Sequence, residues 1–436
     1  MKKILSLLLV CVLCVSMFAG CNQKPSDPPV DTKPSESTSP TEKVEPTSPT
    51  ETPDIEPTQP QETPAVGVGF NEFDTAWINY LNNSKSNENY MISPLSLKMA
   101  VALAAAGANT DTLDEILTAF DFDNLDGYLN WGKNIVTHEK AIQEDIESRK
   151  NVPYMEDYDG AFDIANSVWH NSDADGNFTD LYKQYMTELD ALFMETPGAE
   201  LKDEINNWVN EKTNGLIPEL FADDLSEYTN ILINTLYMKC AWLNTFSEHM
   251  TKEDDFTTID GDVVKKEMMN QEDDFLYYED KDAQMIVLPM ENGINMAIVL
   301  GSNENILDKI NNAKSQLVNV TMPKFEVETT IDNIIPFLQQ QGVNLAFDSE
   351  LADFSNMMDR GNYIDKIIQK TKIKLDENGV EAAAVTAIVM DATSAMPPEP
   401  VQPIFFIADE PFEYYIYTTV EGAETPELLF YGQYVK

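Results

Sequence analysis

Apolar residues recur along this chain with two different periods. Near the front, Phe73 to Leu81 reads as a helix; Pro94 then opens a small-residue helix from Leu95 through Ala106, and Thr110 to Phe120 follows Asn109. A proline at the front of a helix wastes no amide, and a run of alanines favours helix and lets backbones approach. Glu200 to Lys212 repeats the pattern, with Ile205, Trp208 and Val209 on one side and Gly215 ending it. Further on the period shortens. Ile231 to Met238, Met285 to Leu288, Met296 to Leu300, Leu317 to Met322, Thr371 to Leu375, Ile404 to Phe406, Tyr414 to Tyr417 and Leu428 to Tyr431 all favour strands. Helices first and strands later, without regular alternation, predict an α+β domain rather than a doubly wound sheet.

The first 64 residues are different material. Lys2 and Lys3 precede an apolar stretch from Ile4 to Phe18, then Ala19, Gly20 and Cys21, the layout of an export signal. The small pair before the cysteine resembles a bacterial lipoprotein signal, in which Cys21 is lipidated and becomes the first residue, although Phe18 stands where Leu is usual. Ordinary secretion or a retained anchor are the alternatives, but the stretch is short for a span, which needs roughly 20 apolar residues. Residues 22–64 then hold 11 prolines and only Val30, Val44 and Ile55 as aliphatic side chains. Such a segment cannot bury enough surface to offset the entropy of ordering, and reads as an extended, disordered stalk or a plain spacer. At roughly 3.1 Å per residue it reaches at most about 130 Å. Residues 65–436 form the folded domain.

Charge narrows the functions. With 28 basic and 75 acidic residues the formal charge is −47. Affinity for a phosphate backbone comes from Lys and Arg displacing counterions, so no nucleic-acid partner is expected, and an anionic bilayer would repel the domain unless lipid on Cys21 anchors it. Catalytic signatures are sparse. His138, His170 and His249 are not in HExxH, and there is no GxSxG elbow, phosphate-cradling glycine loop or paired CxxC. No cofactor or metal is called for. After processing only Cys240 would remain free, as a buried small residue or a reactive thiol.

One segment does stand out. Asp376 to Pro398 starts charged, becomes a line of small residues from Ala382 through Ala387, and ends polar and proline-rich. Local propensity leaves two destinations open, an exposed helix and loop or a buried strand.

This segment resembles the hinge and reactive-centre loop of the serpins. The resemblance continues, in the family's order, through NYMISPLSLKMAVALAAA (89–106), ANSVW (165–169), INNWVNEKTNGLIPEL (205–220), Ile233 to Phe246, Met322 to Phe325, Gly342 to Phe354 and ADEPF (408–412). It implies one domain of three β-sheets with eight or nine helices and an exposed reactive-centre loop. It also implies a monomeric suicide substrate whose partner is a target endopeptidase, not an enzyme. The protease cuts the loop, and the cut loop inserts into the large sheet before the acyl-enzyme hydrolyses.

Carried over by position, Glu377 matches the anchoring acid and Lys324 its basic partner, with Gly379 at the turning point. Val380 stands where inhibitory members commonly have Thr. Glu381, Ala382, Ala383, Ala384, Val385 and Thr386 then resemble the small-residue hinge of inhibitors, and a non-inhibitory serpin acting as a surface binding module is the alternative. Ser93, Ser96 and Asn234 match the polar network beneath the central strands, Gln369 replaces its usual His, and Trp242 matches the Trp where the loop enters. Counting from Glu377 by the commonest loop length puts the scissile bond between Thr393 and Ser394, and displaced alternatives lie at Met390–Asp391 and Met396–Pro397. A small residue there suits elastase-like, subtilisin-like or papain-like targets in an extracytoplasmic setting.

Overall fold

The computed structural model describes residues 69–152, 158–380 and 402–436. The export signal, Cys21 and the stalk lie outside them, as do Glu381 to Thr386 and the Thr393–Ser394 bond. Eight α-helices are present among the described residues: α1 (Glu72–Lys85), α2 (Pro94–Gly107), α3 (Thr110–Ala119), α4 (Leu125–Lys150), α5 (Asp180–Glu188), α6 (Gly198–Lys212), α7 (Ile306–Asn312) and α8 (Ile335–Gln340). The strands are β1 (Tyr90–Ile92), β2 (Ala161–Asn171), β3 (Ala191–Thr196), β4 (Asn230–Ala241), β5 (Lys252–Thr257), β6 (Val263–Glu279), β7 (Ala283–Pro289) and β8 (Ile294–Gly301). They continue with β9 (Lys314–Pro323), β10 (Phe325–Ile331), β11 (Gln369–Asp376), β12 (Gly379–Val380), β13 (Ile404–Ile407), β14 (Phe412–Thr418) and β15 (Glu427–Tyr434).

The α+β class is observed, and each predicted strand lies within an observed one. Three strands, β1, β2 and β3, interrupt the part that reads as helical. One sheet runs β10-β11-β12-β4-β2-β3. The other strands form a network ordered β1-β15-β14-β8-β7-β6-β9-β13, with β5 also paired to β6. That network is two sheets in series. The 17-residue β6 pairs with β5 and β9 over most of its length and with β7 at its end, so the two sheets of this network share hydrogen bonds through one long strand, while the six-stranded sheet pairs with neither among the described residues.

Period-2 burial explains the layers. Met238 and Cys240 of β4 and Ile373 and Leu375 of β11 join a core shared with the second network, whereas Ile231 and Ile233 pack under Leu201, Ile205 and Val209 of α6. The helices begin where polar caps permit. Asn71, Asn124 and Thr179 accept from backbone amides at the starts of α1, α4 and α5, and Ser93 does so for α2 beside Pro94.

Two carboxyl groups are buried among the helices. Burial pushes the Asp74 carboxyl up to about 6 even with Lys98 opposite, and pushes that of Glu139 on α4 up to about 8. Both folded-state values exceed those of the unfolded chain, so the folded protein holds the extra protons. Their contribution is complete below about pH 4 and is lost as pH rises through about 6 and then 8. The urea midpoint is therefore expected to fall between pH 5 and pH 8, by an amount equivalent to a few kcal/mol. A midpoint that rises over this interval would contradict the assignment.

Candidate functional site

The two-residue strand β12 lies between β11 and β4, paired antiparallel to both. Val380 stands opposite Leu375 on one side and Cys240 on the other; Gly379 stands opposite Asp376 and Ala241. Flanking strands must therefore be two spacings apart here, about 9.5 Å. Past Val380, no ladder joins β4 to β11 among the described residues. Val380 is 4% exposed and packs in the shared core.

Tight backbone geometry leads into this strand. Gly379 adopts φ 140°, and a Cβ there would lie 2.7 Å from Ala241 Cα and overlap Cys240 O, so only glycine fits between the strands. The Trp242 amide donates to Asn378 O at 2.9 Å and its indole Nε1 donates to Asp376 O at 3.0 Å. Phe246 N donates to Glu377 O at 2.9 Å and the Phe246 ring meets Trp242 edge-on.

Glu377 is held from two directions. Lys324 Nζ lies 2.8 Å from its Oε1, and Thr251 Oγ1 donates to the same oxygen at 2.6 Å. Burial by itself raises this carboxyl, but those hydrogen bonds outweigh it and hold the group below the usual carboxylate range. Lys324 also lies 3.9 Å from Glu267. The expected Lys324–Glu377 pair is thus present; Thr251 carries no local sequence signal and was not anticipated.

The polar network under the sheet is present in part. Ser93 N donates to Gln369 Oε1 at 3.1 Å and Gln369 Nε2 returns a bond to Ser93 O at 2.8 Å, a ring closed by one amide. Ser93 Oγ accepts from Ser96 N at 3.1 Å. Asn234 does not join them, since its Nδ2 donates to Asn166 Oδ1 at 2.6 Å, across the β2–β4 ladder. Thr371 and Thr329 complete the join instead: Thr371 Oγ1 donates to Met91 O at 2.6 Å, and Thr329 Oγ1 accepts from Met91 N at 2.9 Å. Cys240 is buried, its Sγ donating to Glu291 O at 3.3 Å, and burial pushes the thiol well above its usual range.

A family model described as Serpin (serine protease inhibitor) matches residues 69–436. The chain belongs to the serpin family. A serpin-like protein of Thermococcus kodakarensis is 30% identical over 98% of both chains. A leukocyte elastase inhibitor of Equus caballus is 27% identical, over 81% of this chain and 94% of its own. The native-state crystal structure of the thermophilic serpin tengpin aligns with a TM-score of 0.67 at 28% identity, covering 84% of this chain and 93% of that one. The strand pair around Gly379–Val380 thus belongs to a serpin's large sheet.

Proposed function

We propose that this serpin is a single-use inhibitor of an endopeptidase, cut at Thr393–Ser394 and acting by insertion of the cut hinge between β4 and β11. The observation that carries the reading is the start of such a strand, Gly379–Val380, paired on both sides with the ladder between its neighbours missing beyond it among the described residues. Continuing that register, Ala382 comes between Ile373 and Met238, and Ala384 between Thr371 and Leu236, on the face that carries Val380. Glu381 comes between Lys374 and Lys239, a charge match on the opposite face. Thr386 reaches Gln369 and Asn234, which gives those two amides a shared role even though they do not touch before insertion.

Each residue inserted adds backbone hydrogen bonds worth about 1 kcal/mol net, plus apolar burial. The native state stores this free energy until proteolysis frees the chain beyond the hinge. The tethered protease is then carried away from the geometry its deacylation needs. Elastase-like, subtilisin-like and papain-like enzymes are the proposed targets, in that order. The N-terminal segment fits the same use: lipid on Cys21 and a proline-rich stalk over residues 22–64 would hold the inhibitor at an extracytoplasmic membrane surface.

Incubation with a panel of those proteases is the test. An SDS-resistant complex should form, and mass spectrometry should find a released peptide starting at Ser394. Cleavage without a complex would instead support a non-inhibitory binding module, and resistance to every protease would remove the proposal.

A further inference from the structure

A separate cleft of about 550 Å³ opens between α4, α6 and the β2–β3 edge, lined by Glu139, Asp163, Asn166, Asp190, Trp208 and Lys212 among others. None of its lining residues belongs to the hinge, and only Asn166, through its bond to Asn234, touches the inhibitory reading. Two side chains in it are buried yet incompletely bonded. Glu139 is 6% exposed; its Oε1 accepts from Ile164 N and Gln143 Nε2, both at 2.9 Å, while its Oε2 takes no hydrogen bond among the described residues. Asn166 is 2% exposed, and its Nδ2 has no partner. Asn166 and Asn234 share one bond through two amides, so one donor and one acceptor stay unmatched. The unmatched amide atoms are costly to bury unless something completes them, while Glu139 Oε2 is open to the cleft.

The charges facing Glu139 come from every element around it. Asp163 on β2 lies 3.6 Å from Lys212 at the end of α6, and Asp190, just before β3, pairs with Lys140 of α4 at 2.8 Å. Of the three carboxyl groups in the lining, Asp163 and Asp190 are thus paired with Lys212 and Lys140 and Glu139 has no ion-pair partner among the described residues, with the Trp208 ring as an apolar wall suited to a cation. Among the described residues no group of three His, Cys, Asp or Glu side chains has the geometry to hold a metal ion, which directs the choice to an organic cation.

We propose that this cleft binds a small primary amine carrying a second hydrogen-bonding group, with the ammonium on Glu139 Oε2 and the second group on Asn166. An ammonium completes the carboxylate, and a hydroxyl serves the amide whichever way the amide is turned. Burial pushes Glu139 up to about 8, so the incoming cation must displace a proton from it. Binding by the ionised form alone makes affinity follow the ionised fraction. Affinity is therefore expected to rise roughly 75-fold between about pH 6 and about pH 8.5.

The probe is 4-amino-1-butanol, titrated into the full chain by ligand-observed NMR, with n-butylamine and 1,4-butanediol as controls lacking one group each. Saturable binding is expected for the amino alcohol, weaker binding for butylamine and none for the diol. Glu139→Gln retains an acceptor for Ile164 N and should fold, while weakening the amino alcohol by at least about tenfold, or 1.4 kcal/mol. The pH profile of the unsubstituted chain provides the same test without any substitution. Absence of saturable binding, equal binding of the diol, a flat pH profile, or undiminished binding by folded Glu139→Gln would each overturn the assignment. None of these outcomes depends on whether the chain traps a protease.

Discussion

Val380→Arg is expected to turn the inhibitor into a substrate: the loop is cut at an unchanged rate, but SDS-resistant complex falls below about a tenth of its usual yield. The Val380 side chain is 4% exposed, in the core shared with Leu375 and Cys240. A guanidinium there has no carboxylate among those apolar neighbours, and leaving a buried charge unpaired costs about 3–5 kcal/mol. Trapping is a race between insertion and deacylation. Because Val380 already lies buried between β4 and β11, the arginine first drives β12 out of the sheet and insertion must then bury it; if even half of that cost is felt on re-entry, insertion slows by more than about tenfold and hydrolysis wins. Ala384→Arg should act in the same direction, because the register of β12 brings residue 384 to the same face. Densitometry of complex against cleaved product reads the partition directly, and full complex yield from Val380→Arg would remove the insertion argument.

The largest loss of stability is expected from Lys98→Met, at about 3–5 kcal/mol near neutral pH. Lys98 Nζ lies 3.4 Å from Asp74 Oδ1 and 2.9 Å from Glu427 Oε2, with Trp131 Nε1 donating to Glu427 Oε1 at 2.7 Å. Removing the ammonium leaves two carboxyl groups facing each other, with Asp74 fully buried and out of reach of water. Burial already raises the Asp74 carboxyl to about 6 with Lys98 in place, so acidification to pH 5 should protonate it and relieve the variant. Urea unfolding of both proteins at pH 5 and pH 8 should therefore show a deficit that shrinks at the lower pH. A constant deficit would mean that lost packing of the lysine stem, and not charge, explains the variant.

Much of the fold is legible without coordinates wherever burial is one-sided. Thr371 to Leu375 and Ile231 to Met238 declare themselves as strands because alternate residues serve one face, and Glu200 to Lys212 declares α6 because Ile205 and Val209 recur at helical spacing. The 26-residue α4 is less visible, since its buried positions Tyr128, Leu129, Ile135, Val136, Ile142 and Ile146 are diluted by charged residues and include Glu139 itself. β6 hides for a related reason. Its first half alternates partly exposed and exposed residues such as Val264 and Lys265, so the long strand linking two sheets has no continuous apolar signature.

At the hinge, the order of residue types from Glu377 through Thr386 and the glycine at 379 are properties of the chain itself, because they depend on side-chain size, charge and backbone freedom. Pairing is not. Thr251 and Lys324 meet on one oxygen of Glu377, and Gln369 closes on Ser93 across 276 positions of sequence, only because sheet packing brings their strands together. The same packing sets Asn234 against Asn166 rather than beside Ser93, and leaves Glu139 facing a cleft with an open oxygen. Composition and periodicity are local, so they determined many of the helices and strands, while the hinge was legible in the sequence only through its resemblance to serpins; hydrogen bonds between distant side chains depend on where those segments dock, and that was decided by the tertiary structure alone.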